Sequence, residues 1–170
     1  MDSNQFIGRH LIVDVQTATM RNINEISVVY TFLEKLSKLL KMTLVYPPIV
    51  VHFPFVCNEL QIFHDELKED GIQSQTMLKM EQRLKNRNTE HSGVSGITVW
   101  IESHVVLRTW KEQQYISFEA CSCKDFDTQI ALDCLCSYFD IKAYNGIDIV
   151  RYINEPQEIR PIYYKSEGYF

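Results

Sequence analysis

The sequence predicts an α+β fold: a two-layer sandwich in which a largely antiparallel sheet carries its helices on one face. Three observations predict it. Strand-like runs with alternating apolar positions outnumber helical ones, in the order β-α-β-insert-β-β-β-α-β. The two clear helical stretches are amphipathic, so each has one face to bury against a sheet. No internal repeat or low-complexity tract divides the 170 residues, a length suited to one domain with a real core.

Gly8 to Val15 forms the first strand, with Leu11, Val13 and Val15 alternating with His10, Ile12 and Asp14. Asp14, near its end, is either a solvated strand-end carboxylate or one that faces a substrate. Asn22 or Asn24 offers a helix N-cap. Ile26, Val29, Leu33, Leu36 and Leu40 follow at three- and four-residue steps, giving a helix of about four turns. Thr43 to Tyr46 opens a second strand that Pro47-Pro48 interrupts, because proline removes a ladder donor. Ile49 to Phe53 resumes it. Within an insert at about 54–92, Leu60 to Leu67 and Ser74 to Leu84 read as short helices, the second weakly amphipathic and cationic. A solvated face explains those cations better than an anionic partner does.

Gly93 to Trp110 holds two β-branched runs around a polar triplet, and Gln114 to Cys121 alternates as a further strand. Asp125 or Asp127 caps a helix reaching about Phe139, with Ile130, Ala131, Cys134, Leu135 and Tyr138 on one face. Ile141 to Ile153 reads as a strand interrupted by a turn at Asn145-Gly146. The domain spans residues 1–154, and residues 155–170 form an extended C-terminal tail that packs on the body or on a partner.

A hydrophobic share of 45% with 23% charged residues is an ordinary soluble composition. The formal net charge of −5 argues against a protein that tracks nucleic-acid phosphates. No apolar run approaches the roughly 20 residues needed to span a bilayer, and Met1 to Gln5 lack the basic region of a signal peptide. A cytoplasmic protein without nucleic-acid or membrane partners is expected. Five cysteines, an odd number, point to free thiols. Cys121-Ser122-Cys123 and Cys134-Leu135-Cys136 lack zinc-ribbon spacing, and His10, His52, His64 and His91 lack ligand spacing, so no metal is assigned.

The polar triplet is Glu102-Ser103-His104, set between two good strands, where buried polar groups are costly. Such a triplet is a surface kink or a site. Gly93-Val94-Ser95-Gly96 leading into Glu102-Ser103-His104 resembles the self-cleavage segment of the short prokaryotic S-adenosylmethionine decarboxylases. Gly8-Arg9-His10-Leu11-Ile12-Val13-Asp14 and Cys121-Ser122-Cys123-Lys124-Asp125-Phe126-Asp127 resemble two further segments of that family, in the same order. The resemblance runs from Gly8 to about Val150.

That resemblance implies a proenzyme that cuts itself between Glu102 and Ser103, leaving a pyruvoyl cofactor derived from Ser103. It implies Schiff-base decarboxylation of S-adenosylmethionine for polyamine (spermidine) synthesis. Cys123 matches the cysteine that returns a proton to the substrate, and Ser95 a serine that assists processing. Trp110 and Glu112 match residues near the substrate, and His104 flanks the cut. A homodimer binding a small amino-acid-type substrate is implied as well.

Arg108 stands where the family has its processing histidine, and Lys111 where it has a proline. Thr89 replaces an adenine-stacking aromatic, and Ser92 replaces a histidine or glutamine. Arginine stays protonated in proteins and cannot be the base, although it can stabilise an oxyanion. Self-cleavage is therefore expected to be slow or incomplete unless His104, His91 or a water held by Ser95 stands in. Two alternatives stay open: decarboxylation of ornithine or arginine, and an uncleaved, non-enzymatic homologue acting as a partner or regulatory subunit.

Overall fold

In the computed structural model of the chain, residues 5–53 and 92–166 are described. The short helices expected at 60–67 and 74–84 lie outside the described residues, as do Cys57, His64, Thr89 and His91. Seven strands form one sheet in the spatial order β2-β3-β4-β5-β1-β6-β7, with every neighbouring pair antiparallel. They are β1 (Gln5–Thr17), β2 (Ile49–Phe53), β3 (Gly93–Trp100), β4 (Ser103–Trp110), β5 (Tyr115–Ser122), β6 (Ile141–Ile153) and β7 (Glu158–Lys165). Two helices, α1 (Ile26–Leu39) and α2 (Thr128–Tyr138), complete the described elements. The two-layer α+β architecture is the one that the strand and helix periodicities predict.

The core lies between the helices and one face of the sheet. Leu11, Val13 and Val15 of β1, Val105 and Leu107 of β4, and Ile116, Phe118 and Ala120 of β5 are all buried at alternate positions. Phe32 of α1 meets Phe118, Tyr138 and Phe139 edge-on, with ring centroids 5.8, 5.7 and 5.8 Å away. Trp100 Nε1 donates to Ser37 Oγ at 2.8 Å, and Ser37 passes the bond to the Leu33 carbonyl at 2.7 Å, so both buried groups are satisfied. Gly96 lets α1 lie close: a Cβ there would stand 2.7 Å from a Leu33 methyl and 2.8 Å from a Val29 methyl.

Several expectations need correction. α1 is capped by Glu25 without a side-chain bond, not by Asn22 or Asn24. Asn22 adopts a left-handed φ of 67° and spends its amide on the Tyr138 carbonyl, tying the entry of α1 to the end of α2. Of Thr43 to Tyr46, Leu44 forms only an isolated bridge with Trp100, and the strand begins at Ile49. Of the two expected caps of α2, Asp127 is the one used, accepting from the Gln129 and Ile130 N–H groups. Leu132 rather than Ile130 is buried on that helix.

Asn145-Gly146 is no turn, since β6 runs through it. Gly146 serves close approach instead, because a Cβ there would lie 2.1 Å from the Ile12 carbonyl oxygen of β1. Within the expected tail, residues 158–165 form the edge strand β7, paired with β6 from Val150↔Glu158 to Ala143↔Lys165.

Candidate active site

The hairpin joining β3 to β4 is as short as a hairpin can be. Trp100 pairs with Ser103, leaving Ile101 and Glu102 as the loop. Two-residue loops favour residues with positive φ, which match the twist of the strands. Neither Ile101 nor Glu102 has one. The positive φ falls on Ser103, at 151°, a region that side chains rarely adopt. Backbone strain is thus concentrated on the residue that follows the Glu102–Ser103 peptide bond.

Three neighbours converge on that bond. The Glu102 carbonyl accepts from the backbone N–H of Cys123 at 2.9 Å. Ser103 Oγ lies 3.1 Å from His104 Nδ1. The Glu102 carboxylate accepts from the Thr43 N–H at 3.0 Å and hydroxyl at 3.3 Å, which pins the loop to the chain after α1. The Thr43 backbone bond, foremost, holds that carboxyl below its usual pKa. Cys123 is exposed and carries a free thiol beside the junction. Ser122, the register partner of Ser103, is what delivers Cys123 there.

Behind His104 stands a carboxylate. His104 Nε2 is 3.8 Å from Glu119 Oε1, and His10 Nε2 contacts the same oxygen at 2.8 Å. Neither His10 nor Glu119 was marked as a site residue by any motif. The signal was present but non-local: both occupy the face of their strands opposite the core, and only the β1–β5 register brings them together.

The other expected residues form a second cluster. Arg108 lies five residues along β4 from Ser103, about 16 Å at the usual rise of a strand. Its register partners are Ser95 and Ser117. Its guanidinium packs over the rings of Phe53, at 4.7 Å, and Trp110, at 5.0 Å. Trp110 in turn leans on Tyr115, whose hydroxyl donates to Asp14. Gln16, Trp110, Gln113 and Tyr115 line a shallow, open depression of about 400 Å³. Glu112 accepts from Ser92 Oγ at 2.7 Å, a bond that keeps its carboxyl below the usual range. One chain thus gathers Glu102, Ser103, His104 and Cys123 at one place, and Ser95, Arg108, Trp110 and Glu112 at another.

Cys134 and Cys136 diverge on α2, one buried and one exposed, and burial pushes the Cys134 thiol up to about 11. No group of three metal-ligating side chains occurs among the described residues. No described helix is long and apolar enough to cross a membrane.

Comparison with known proteins bears on the fold and the family. The crystal structure of an adenosylmethionine decarboxylase from Aquifex aeolicus VF5 superposes with a TM-score of 0.58 over 91% of this chain and 98% of that one, at 16% identity. At that identity the likeness establishes the fold. A family profile described as S-adenosylmethionine decarboxylase matches residues 61–152, more than half of the chain and the whole stretch that carries the Glu102–Ser103 junction. On that match, over a sheet of the same fold, the chain belongs to the S-adenosylmethionine decarboxylase family.

Proposed function

We propose that the chain is a pyruvoyl-dependent S-adenosylmethionine decarboxylase of polyamine synthesis that makes its own cofactor by cutting itself between Glu102 and Ser103. The observation that supports this best is the junction itself, where a hydroxyl, a basic nitrogen and a polarised carbonyl meet on strained backbone.

The residues present fit such a process. Ser103 Oγ attacks the Glu102 carbonyl carbon while His104 Nδ1 takes the hydroxyl proton. The Cys123 N–H, already on the Glu102 oxygen, stabilises the charge that develops there. The C–N bond breaks as the same proton passes to the Ser103 nitrogen, leaving an ester and a free amine. Loss of the Ser103 α-proton then breaks the Ser103 Cβ–Oγ bond and expels the main-chain carboxylate of Glu102 as the new C-terminus of the 1–102 fragment. Tautomerisation and hydrolysis release ammonia, so Ser103 ends as the blocked terminus of the 103–170 fragment. The group so formed supplies a carbonyl that takes up the electron pair freed by decarboxylation. Cys123, whose thiol is free and exposed and whose backbone N–H bonds the Glu102 oxygen, is the residue proposed to return a proton to the substrate.

The separation of the two clusters supports a two-fold homodimer, because a site using both needs a second protomer. The face of the sheet away from α1 and α2 exposes Ile97 on β3 and Ile159 on β7, at 37% and 60%.

Intact mass of purified protein tests the reading. Two fragments, 1–102 and a blocked 103–170, are expected, with carbon dioxide released from S-adenosylmethionine and not from ornithine or arginine. A chain that remains whole refutes it and favours a non-enzymatic partner. Light scattering that shows a monomer at micromolar concentration refutes the dimer.

A further inference from the structure

We infer that Glu119 and His10 are positioning residues for self-cleavage: together they hold His104 in the form that takes the proton of Ser103. The inference rests on the self-processing reading above and extends it to two side chains on strands remote from the cut.

The placement follows from register. His104 on β4 stands opposite Cys121 on β5, and Cys121 stands opposite His10 on β1. Glu119, two residues before Cys121, shares its face of the sheet. One carboxylate therefore lies between two imidazoles. Its Oε1 is 2.8 Å from His10 Nε2 and 3.8 Å from His104 Nε2. The other nitrogen of His104, Nδ1, is the one 3.1 Å from Ser103 Oγ.

Chemistry assigns the roles. Nδ1 can accept a proton only while it is bare, so the neutral ring must carry its hydrogen on Nε2, facing Glu119. A carboxylate on that side favours this tautomer. It also attracts the imidazolium that forms once the serine proton arrives. A separation of 3.8 Å is too long for a hydrogen bond but still within ion-pair range, so the attraction strengthens when the ring becomes charged. That is the condition for lowering a barrier rather than only stabilising the resting chain. His10, donating at 2.8 Å, keeps the carboxylate from turning away. The proton is conserved: it moves from Ser103 Oγ to Nδ1 as the new C–O bond forms, then to the Ser103 nitrogen as the C–N bond breaks. The ring ends neutral and the relay is reset. Arg108, which cannot deprotonate, is not needed as a base.

Cell-free synthesis of the full chain, with a pulse of label and gel readout of the 103–170 fragment over time, tests the relay. His104→Ala should slow cleavage by about 10²-fold or more. Glu119→Gln, which keeps shape but not charge, should slow it by roughly 10- to 100-fold, less than the ~10⁴ lost when a carboxylate bonded directly to its histidine is neutralised. Glu119→Asp should recover part of the rate, and added imidazole should partly rescue His104→Gly. Thermal midpoints of the uncleaved chains should stay close to that of Ser103→Ala. Wild-type cleavage with an unchanged rate in Glu119→Gln overturns the relay and leaves the decarboxylase reading standing. Equal loss in Glu119→Gln and Glu119→Asp with a fallen midpoint shows a structural role and overturns it too. If Glu119→Gln does not fold, His10→Phe decides, since cleavage at the wild-type rate there removes the clamp. A wild-type chain that never cleaves overturns both the relay and the reading beneath it.

Discussion

The backbone N–H of Cys123 offers the sharpest test of the junction, because it can be deleted alone. Incorporating lactic acid at position 123 replaces that N–H with an ester oxygen, and Cys123→Ala is the control that lacks only the thiol. In the resting chain the bond to the Glu102 oxygen is a neutral backbone bond of 2.9 Å, worth about 1 kcal/mol net. In the transition state the same donor faces an oxyanion, where a single donor is worth about 2.7–4 kcal/mol. The difference of about 2–3 kcal/mol falls on the rate. At about 1.4 kcal/mol per tenfold, cleavage should slow by roughly 30- to 150-fold. The stability of the uncleaved chain should fall by only about 1 kcal/mol. Label-chase electrophoresis gives the rate, and chemical denaturation on a Ser103→Ala background gives the stability. Cleavage within threefold of the Cys123→Ala control would refute the assignment of this N–H to the developing charge.

Cys123→Ala should cut normally and then fail at product protonation, read as slower turnover and altered deuterium uptake from heavy water; unchanged turnover removes the thiol from the site. Arg108→His should leave the cleaved fraction unchanged, because His104 already serves Ser103 and residue 108 lies five positions along β4; a marked rise would return the missing family histidine to the mechanism. Ser103→Gly should be more stable than Ser103→Ala by about 1 kcal/mol, the reverse of the ~0.5–1 kcal/mol preference for Ala in a regular strand, because glycine tolerates the φ of 151°. Alanine proving the more stable of the two in denaturant melts would show that no strain sits on Ser103.

What the sequence made legible follows from the range of each signal. Alternation along β1 and β5 and the three- and four-residue steps of α1 are local, and they mark Leu11, Val13, Val15, Val29, Leu33, Leu36 and Leu40 as buried, although Ile26 at the start of α1 is exposed and Phe32, off those steps, is buried. Gly146 misled because a glycine after an asparagine is a local sign of a turn, whereas its cause is the approach of Ile12 from the neighbouring strand β1. Residues 158–165 read as a tail because Pro161 argues against a central strand; at an edge, proline is tolerated. Asn22 looked like a cap but bonds to Tyr138, more than a hundred residues on.

The site divides the same way. Glu102, Ser103, His104 and Cys123 were legible because two contiguous motifs carry them, and one register pair, Ser103↔Ser122, joins those motifs. Glu119 carried no such mark, and His10 lies in the Gly8–Asp14 segment without a role of its own, since an alternating strand places a polar residue at those positions in any sequence. Only the order β4-β5-β1 turns them into one row across the sheet. That order also accounts for the departure at Arg108. A processing site needs a base within reach of Ser103 Oγ, and His104 is fixed there by adjacency in the chain. What adjacency cannot supply is the state of the ring, because nothing within the hairpin itself orients Nε2. On the proposed relay the neighbouring strands supply it through Glu119 and His10. On the proposed relay no base is required at position 108, where Arg108 packs its cation over Phe53 and Trp110 instead.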